Sequence, residues 1–123
     1  MLSRLVIDGR FKAALEGIES YSHLIIIYYM HKVTGTKGLK INSQGRKEIA
    51  KVGFFATRSP NRPNPIGVTV VKLLERRQNI VKIRGLDAIN GTPILDIKPY
   101  TYTDRKGTIR VPVCERRIFY KDS

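Results

Sequence analysis

Acidic residues are scarce in this chain of 123 residues, ten against 23 lysines and arginines, which leaves a net charge of +13. Thermophilic ion-pair networks enrich lysine and glutamate together, so that origin is excluded, and polyanions, nucleic acid first, are the expected partners. Cysteine occurs once, at Cys114. A single thiol excludes an internal disulfide and a multi-cysteine zinc site within one chain, and it fits a reducing cytoplasm. Long apolar runs are missing too. The longest strongly apolar stretch, residues 24–30, is far short of the roughly 20 residues that span a bilayer. Neither a signal peptide's apolar region nor a basic amphipathic helix for a membrane surface is present, so a soluble cytoplasmic protein without a membrane partner is expected. Glycine fingerprints for nucleotides are absent: no G-x-G-x-x-G follows a strand and no P-loop occurs. Classical Rossmann enzymes and P-loop NTPases are therefore disfavoured. His23 and His31 stand at either end of the apolar stretch, roughly 26 Å apart along a strand at about 3.3 Å per residue, so no shared metal is expected.

What is present is mostly strand. Residues 24–30 are β-branched and aromatic, as a strand covered on both faces requires. Residues 68–74 and 80–86 read as two more strands around a polar turn, and in the second Val81 and Ile83 alternate with Lys82 and Arg84, leaving one face wet and basic. Residues 94–98 repeat the alternation, and 108–113 are a further candidate. Helix is expected only over residues 10–16. Glycine and polar residues mark a loop from about 33 to 51. Short strands without recurring helices predict a mainly β, single-domain small barrel with one short helix. Residues 105–121 carry six basic residues and one acid, either as an ordered basic edge or as a tail that docks on a partner.

Residues 54–67, FFATRSPNRPNPIG, carry the densest chemical signal. Pro60, Pro63 and Pro65 fix their own φ and push Ser59, Arg62 and Asn64 toward extended conformations. Arg58 and Arg62 on so stiff a track can meet a carboxylate or phosphate at little entropic cost. His31, beside Lys32 at a strand's end, is placed where sites usually sit, with a structural hydrogen bond as its alternative. Gly85 allows close approach of a ligand to the backbone, and Asp87 can accept ribose hydroxyls or else stabilise an Asx-type turn leading to Asn90 and Gly91. Tyr100 and Tyr102, near Lys98, can stack on unpaired bases or pack in the barrel.

Several strings occur in order: IESYSHL from Ile18, YYMH ending at His31, FATRSPNRPNPIG from Phe55, GLD from Gly85 and GTPILDIKPY from Gly91. Together they resemble the motifs of the TrmO-type β-barrel tRNA methyltransferases over about residues 5 to 104. The resemblance implies a compact β-barrel, usually a homodimer, that binds S-adenosylmethionine without a Rossmann fold. It also implies methyl transfer to N6 of threonylcarbamoyl-adenosine beside the anticodon of tRNA, with no metal. By motif position it places His31, Lys32, Arg58, Val68, Gly85, Leu86 and Asp87 at the cofactor, where Arg58 suits the methionine carboxylate and Asp87 the ribose. Arg62, Asn64, Lys98 and Tyr100 are the candidates for the tRNA side, and Asp87 and Asp104 the carboxylates to examine as bases. Relatives usually begin with a further segment that contributes to the cofactor pocket and often carry a C-terminal extension. This chain is expected to represent the core alone, and Asn90 stands where many relatives have aspartate. A non-catalytic basic barrel that binds RNA is the alternative, and a small-molecule enzyme would leave the charge without a role.

Overall fold

The computed structural model describes residues 1–30, 40–42 and 51–112. Two compact units divide the chain, one formed by Met1–Lys37 and Pro60–Tyr100, the other by Gly38–Ser59 and Thr101–Ser123. The first holds a five-stranded antiparallel sheet of β1 (Leu2–Val6), β2 (His23–Tyr29), β5 (Ile66–Arg77), β6 (Ile80–Arg84) and β7 (Ile94–Pro99), in the spatial order β1-β6-β5-β2-β7. In the second, β3 (Lys40–Asn42) pairs with β4 (Lys51–Gly53), followed by 3-10 turns at Phe54–Ala56 and Tyr102–Asp104.

Alternation decides which face of the sheet is buried. Leu24, Ile26 and Tyr28 of β2 lie opposite Val71, Thr69 and Gly67 of β5, and Val81 and Ile83 of β6 lie opposite Leu5 and Ser3 of β1. Antiparallel partners share a face, so these residues converge on one core, which Leu15 and Leu86 complete. Leu24, Ile26, Val81 and Ile83 are fully buried, each contributing about 1.5–3 kcal/mol. The register is locked at Gly67: a Cβ there would lie 2.5 Å from Cε2 and Cζ of the Tyr28 ring. The Tyr28 hydroxyl then reaches Thr69 Oγ1 at 3.1 Å.

The mainly β expectation holds, with specific differences. The sheet is not closed, since its edge strands β1 and β7 do not pair with each other. β1 was not foreseen as a strand; Leu2, Leu5 and Val6 show no period-two alternation without their partner β6. Residues 9–15 form a 3-10 helix, not an α-helix. Gly9 opens it and Gly17, at φ 95°, follows it closely; so short a segment cannot offset α-helix nucleation. Asp8 Oδ1 caps the turn by accepting the Arg10 amide at 2.9 Å. β5 runs on to Arg77, so the turn into β6 tightens to Gln78 and Asn79, with Gln78 at φ 55°. Residues 108–112 are irregular, and the remaining part of that expected strand, Val113, lies outside the described residues, as does most of the expected loop at 33–51.

Gly67→Ala should lower unfolding stability by about 1–3 kcal/mol, because the Tyr28 ring must leave its place. Gly107→Ala, where a Cβ meets nothing within 4 Å, should stay within about 0.5 kcal/mol. Urea denaturation of both variants checks this, and equal midpoints would show that the ring does not hold the register.

Candidate functional site

The proline-rich loop divides at the boundary between the units. On one side, Thr57 closes the turn at Phe54–Ala56, its hydroxyl donating to the Phe54 carbonyl at 2.8 Å while accepting the Ser59 amide at 3.3 Å. Arg58 sits between these anchored residues, exposed. On the other side, the Arg62 amide donates to Pro60 O at 2.9 Å and the Ile66 amide to Asn64 O at 2.8 Å. Each closes a three-residue turn, the second spanning Pro65. Arg62 and Asn64 thus follow a track held by backbone bonds, as the proline spacing predicts.

Three segments of the sheet unit meet at one end of it, while the segment after β6 lies further along the sheet, since Arg84 is level with Lys72 and, through it, with His23 at the start of β2. The Met30 amide donates to Pro65 O at 2.7 Å and the Tyr29 amide to Pro93 O at 3.0 Å, which joins the end of β2 to the starts of β5 and β7. Val68, the third residue of β5, lies opposite Ile27, on the outer face and 44% exposed. At the end of β6, Gly85 donates its amide to Met1 O at 3.1 Å and turns the chain at φ 105°. A Cβ on Gly85 would come no closer than 4.0 Å to Val70 O, so the left-handed backbone, rather than space, requires glycine here. Leu86 turns into the core, and Asp87 is exposed. Its carboxylate makes no hydrogen bond or ion pair with any described residue; the following turn is made instead by Thr92, whose amide and hydroxyl both donate to Ile89 O. The Asx-turn reading of Asp87 therefore falls away. His31 and Lys32, which follow directly from Met30, lie outside the described residues.

Lys98 and Tyr100 are not brought to this end. Tyr100 donates its amide to His23 O at 3.2 Å and sets its ring edge-on to His23 at 6.2 Å, at the start of β2. Six residues of β2 separate that point from Tyr29, roughly 20 Å. Lys98 Nζ pairs with Asp96 Oδ2 at 2.9 Å, while Asp96 Oδ1 accepts the Ile97 amide at 2.8 Å. The Lys98 hydrogen bond holds the Asp96 carboxyl below the usual carboxylate range, aided by the Ile97 amide. Asp104, the other carboxylate of interest, caps its 3-10 turn by accepting the Thr101 amide at 2.9 Å, a structural use.

An unforeseen feature is a cleft of about 1220 Å³ between the two edge strands. Met1 to Asp8 form one wall, residues 88–97 the other, and Leu86 lies between them. Of the described residues assigned to the cofactor from the sequence, Leu86 alone lines it. Groups of this sheet unit suit a nucleoside-bearing cofactor: a carboxylate at Asp87 with no partner among the described residues for ribose, an exposed branched side chain at Val68 for a base, and exposed backbone at Gly85. Among the described residues no cluster of three or more metal-ligating side chains occurs.

The family described as tRNA-methyltransferase O N-terminal domain matches residues 1–105. A probable S-adenosyl-L-methionine-binding protein of Pyrococcus abyssi is 45% identical over 109 residues, which is 88% of this chain and 58% of that protein. Human tRNA (adenine(37)-N6)-methyltransferase is 46% identical over 88 residues, 71% of this chain and 20% of its own length. The crystal structure of TrmO from Pseudomonas aeruginosa superposes with a TM-score of 0.73 at 32% identity, over 91% of this chain and 48% of that one. The chain thus spans little more than half the length of the Pyrococcus relative and about half of the solved structure.

Because the folded-state pKa of Asp96 is depressed, its ion pair with Lys98 adds stability above the unfolded carboxylate pKa and loses it as pH falls through the folded value. Carbon-13 titration should place the Asp96 midpoint below an ordinary aspartate, and Lys98→Ala should move it back up. An unmoved midpoint would show that Lys98 does not hold the carboxylate.

Proposed function

The chain belongs to the tRNA-methyltransferase O N-terminal domain family, and from that premise we propose that it is an S-adenosylmethionine-dependent methyltransferase acting on N6 of a tRNA adenosine. The finer substrate in this proposal is threonylcarbamoyl-adenosine beside the anticodon, and the site of action the cytoplasm, where tRNA is found. The observation that supports the reading is that β5 ties these segments into one sheet unit, with Tyr29 and Met30 joined to its start at Pro65 and Ile66 and the glycine turn at Gly85 lying beside Val70. Residues distant in sequence offer, within that unit, the groups an adenosine moiety needs.

In this reading Asp87 accepts the ribose hydroxyls, Val68 offers apolar contact, and Gly85 leaves its backbone uncovered. Arg58 supplies the cation for an amino-acid carboxylate. His31 and Lys32 are assigned to the same cofactor by motif. Arg62 and Asn64, on the proline track, face the RNA, and Lys98 and Tyr100 meet it at the far end of the sheet. The cofactor supplies an electrophilic methyl group on a good leaving group. The protein's contribution is orientation, which can lower a barrier by about 7–11 kcal/mol when two reactants are held as a near-attack pair. With Asp104 committed to its cap, Asp87 is the remaining carboxylate to examine for a role in proton removal.

The proposal includes a homodimer, and an apolar half of the outer sheet face supports it. Tyr29, Ile66, Val68 and Val70 are each 40–46% exposed and adjoin Ile25 and Ile27 through the pairing of β2 with β5. A contiguous apolar patch of this kind marks an interaction surface. Val70→Glu should shift the molar mass from dimer to monomer by light scattering, and an unchanged mass would remove this face from the interface.

Asp87→Asn should weaken S-adenosylmethionine and S-adenosylhomocysteine binding about tenfold or more in calorimetry, as the loss of about 1.5 kcal/mol for one hydrogen bond to a charged group requires, with tRNA affinity kept. Transfer of a labelled methyl group to tRNA, with and without the threonylcarbamoyl group, tests the activity and its finer substrate. A chain that binds tRNA but neither cofactor would instead be an RNA-binding module.

A further inference from the structure

The outer face of the sheet has a second half, and it is basic. Arg4 of β1 lies directly opposite Lys82 of β6, and Arg84 of β6 lies opposite Lys72 of β5. Partners in an antiparallel pair share a face, about 5 Å apart, and residues two along a strand are about 7 Å apart. The four cations therefore form one compact cluster. None of the four makes an ion pair with a described residue. The adjacent carboxylate, Glu75 opposite Lys82, is already held by Arg77 Nε at 2.5 Å. Facing the cluster from β2 is His23, opposite Lys72, with Nδ1 2.7 Å from Ser22 Oγ.

Like charges placed directly opposite destabilise a sheet, and here two such pairs are adjacent. Protection of an exposed edge by charge accounts for Arg4, because β1 is an edge strand, but not for the others: β6 and β5 are interior strands, so Lys72, Lys82 and Arg84 guard no edge. A bound polyanion relieves the repulsion. Arg4 and Lys82 also line the cleft whose inner wall includes Leu86, so the cluster leads from the middle of the sheet toward the segment assigned to the cofactor.

We infer that Arg4, Lys72, Lys82 and Arg84 form a phosphate-binding track for the tRNA backbone, separate from Arg62 and Asn64. The choice of tRNA as the polyanion rests on the functional reading above. The contacts are to phosphate and carry no sequence information; they set how the RNA lies across the sheet and make its affinity strongly salt-dependent.

Two double variants of the full chain, Lys72→Gln with Arg84→Gln and Arg4→Gln with Lys82→Gln, test this against a charge-matched control, Arg10→Gln with Lys12→Gln. Fluorescence anisotropy with bulk tRNA over a salt series gives the slope of log K on log salt. Each patch variant should bind roughly tenfold more weakly at low salt, with the slope reduced by about 1.4–1.8 for two lost phosphate contacts, while the control stays near the parent. Calorimetric S-adenosylmethionine affinity should be unchanged, and the thermal midpoint unchanged or raised as the repulsion goes. Should the parent bind and methylate tRNA and the patch variants show its slope, the track is wrong and the functional reading stands. A parent that binds no tRNA at low salt overturns both, as does patch-dependent binding to anionic lipid vesicles in place of tRNA.

Discussion

The pairing of β2 with β5 is the constraint on which the remaining structure depends, and the Tyr28 ring over Gly67 sets it. Slipping the pair by one residue would move Leu24, Ile26 and Tyr28 from the core face to the outer face. It would also drive the ring against a side chain. With the register held, β6 and β7 pair to either side, β1 pairs with β6, and a single apolar layer is buried under all five strands. The same ladder brings Met30 against Pro65, so the locking of the core and the assembly of the candidate site come from one set of contacts.

The outer face of this sheet is divided by chemistry. Along β5 the outward residues run Ile66, Val68, Val70, then Lys72, and after a bulge between Leu73 and Glu75, Glu75 and Arg77. The bulge keeps Arg76 on the inner side opposite Val81, where its side chain is only 17% exposed and Nε lies 2.8 Å from Glu19 Oε1 without its N–H aimed at that oxygen. One long strand therefore carries an apolar surface, a basic surface and an ionic tie to the Ile18–Ser20 turn. Such a division has no counterpart in core stability, since burial is complete on the other side.

Much of this was legible from local pattern. The β2, β5, β6 and β7 segments declare themselves by β-branched residues and period-two alternation, because half-buried strands leave that record in any sequence. Lys82 and Arg84 announced a basic face from their alternation with Val81 and Ile83. The chemical segments were equally visible, since proline and glycine restrict the backbone whatever surrounds them. Strand β1 was hidden, because a short edge strand is recognised only through its neighbour. The open seam between β1 and β7, and the cleft within it, were hidden for the same reason. Asp87 and Asp104 look alike as isolated carboxylates; they differ only in the fold, where Asp104 accepts the Thr101 amide and Asp87 has no partner among the described residues.

By itself, then, the amino-acid sequence determined the mainly β class, the basic charge, the stiff arginine-bearing loop and, through its motif strings, the family. Each of these is local or additive, carried by residue types and their order. Only the tertiary structure decided which segments share an end of the sheet, that Tyr100 lies at the His23 end of β2 rather than the Tyr29 end, and that Arg4 faces Lys82 while Lys72 faces Arg84. Those facts depend on register and strand order, which follow from how Tyr28, Gly67 and the buried side chains pack across residues distant in the chain, and no local pattern encodes them.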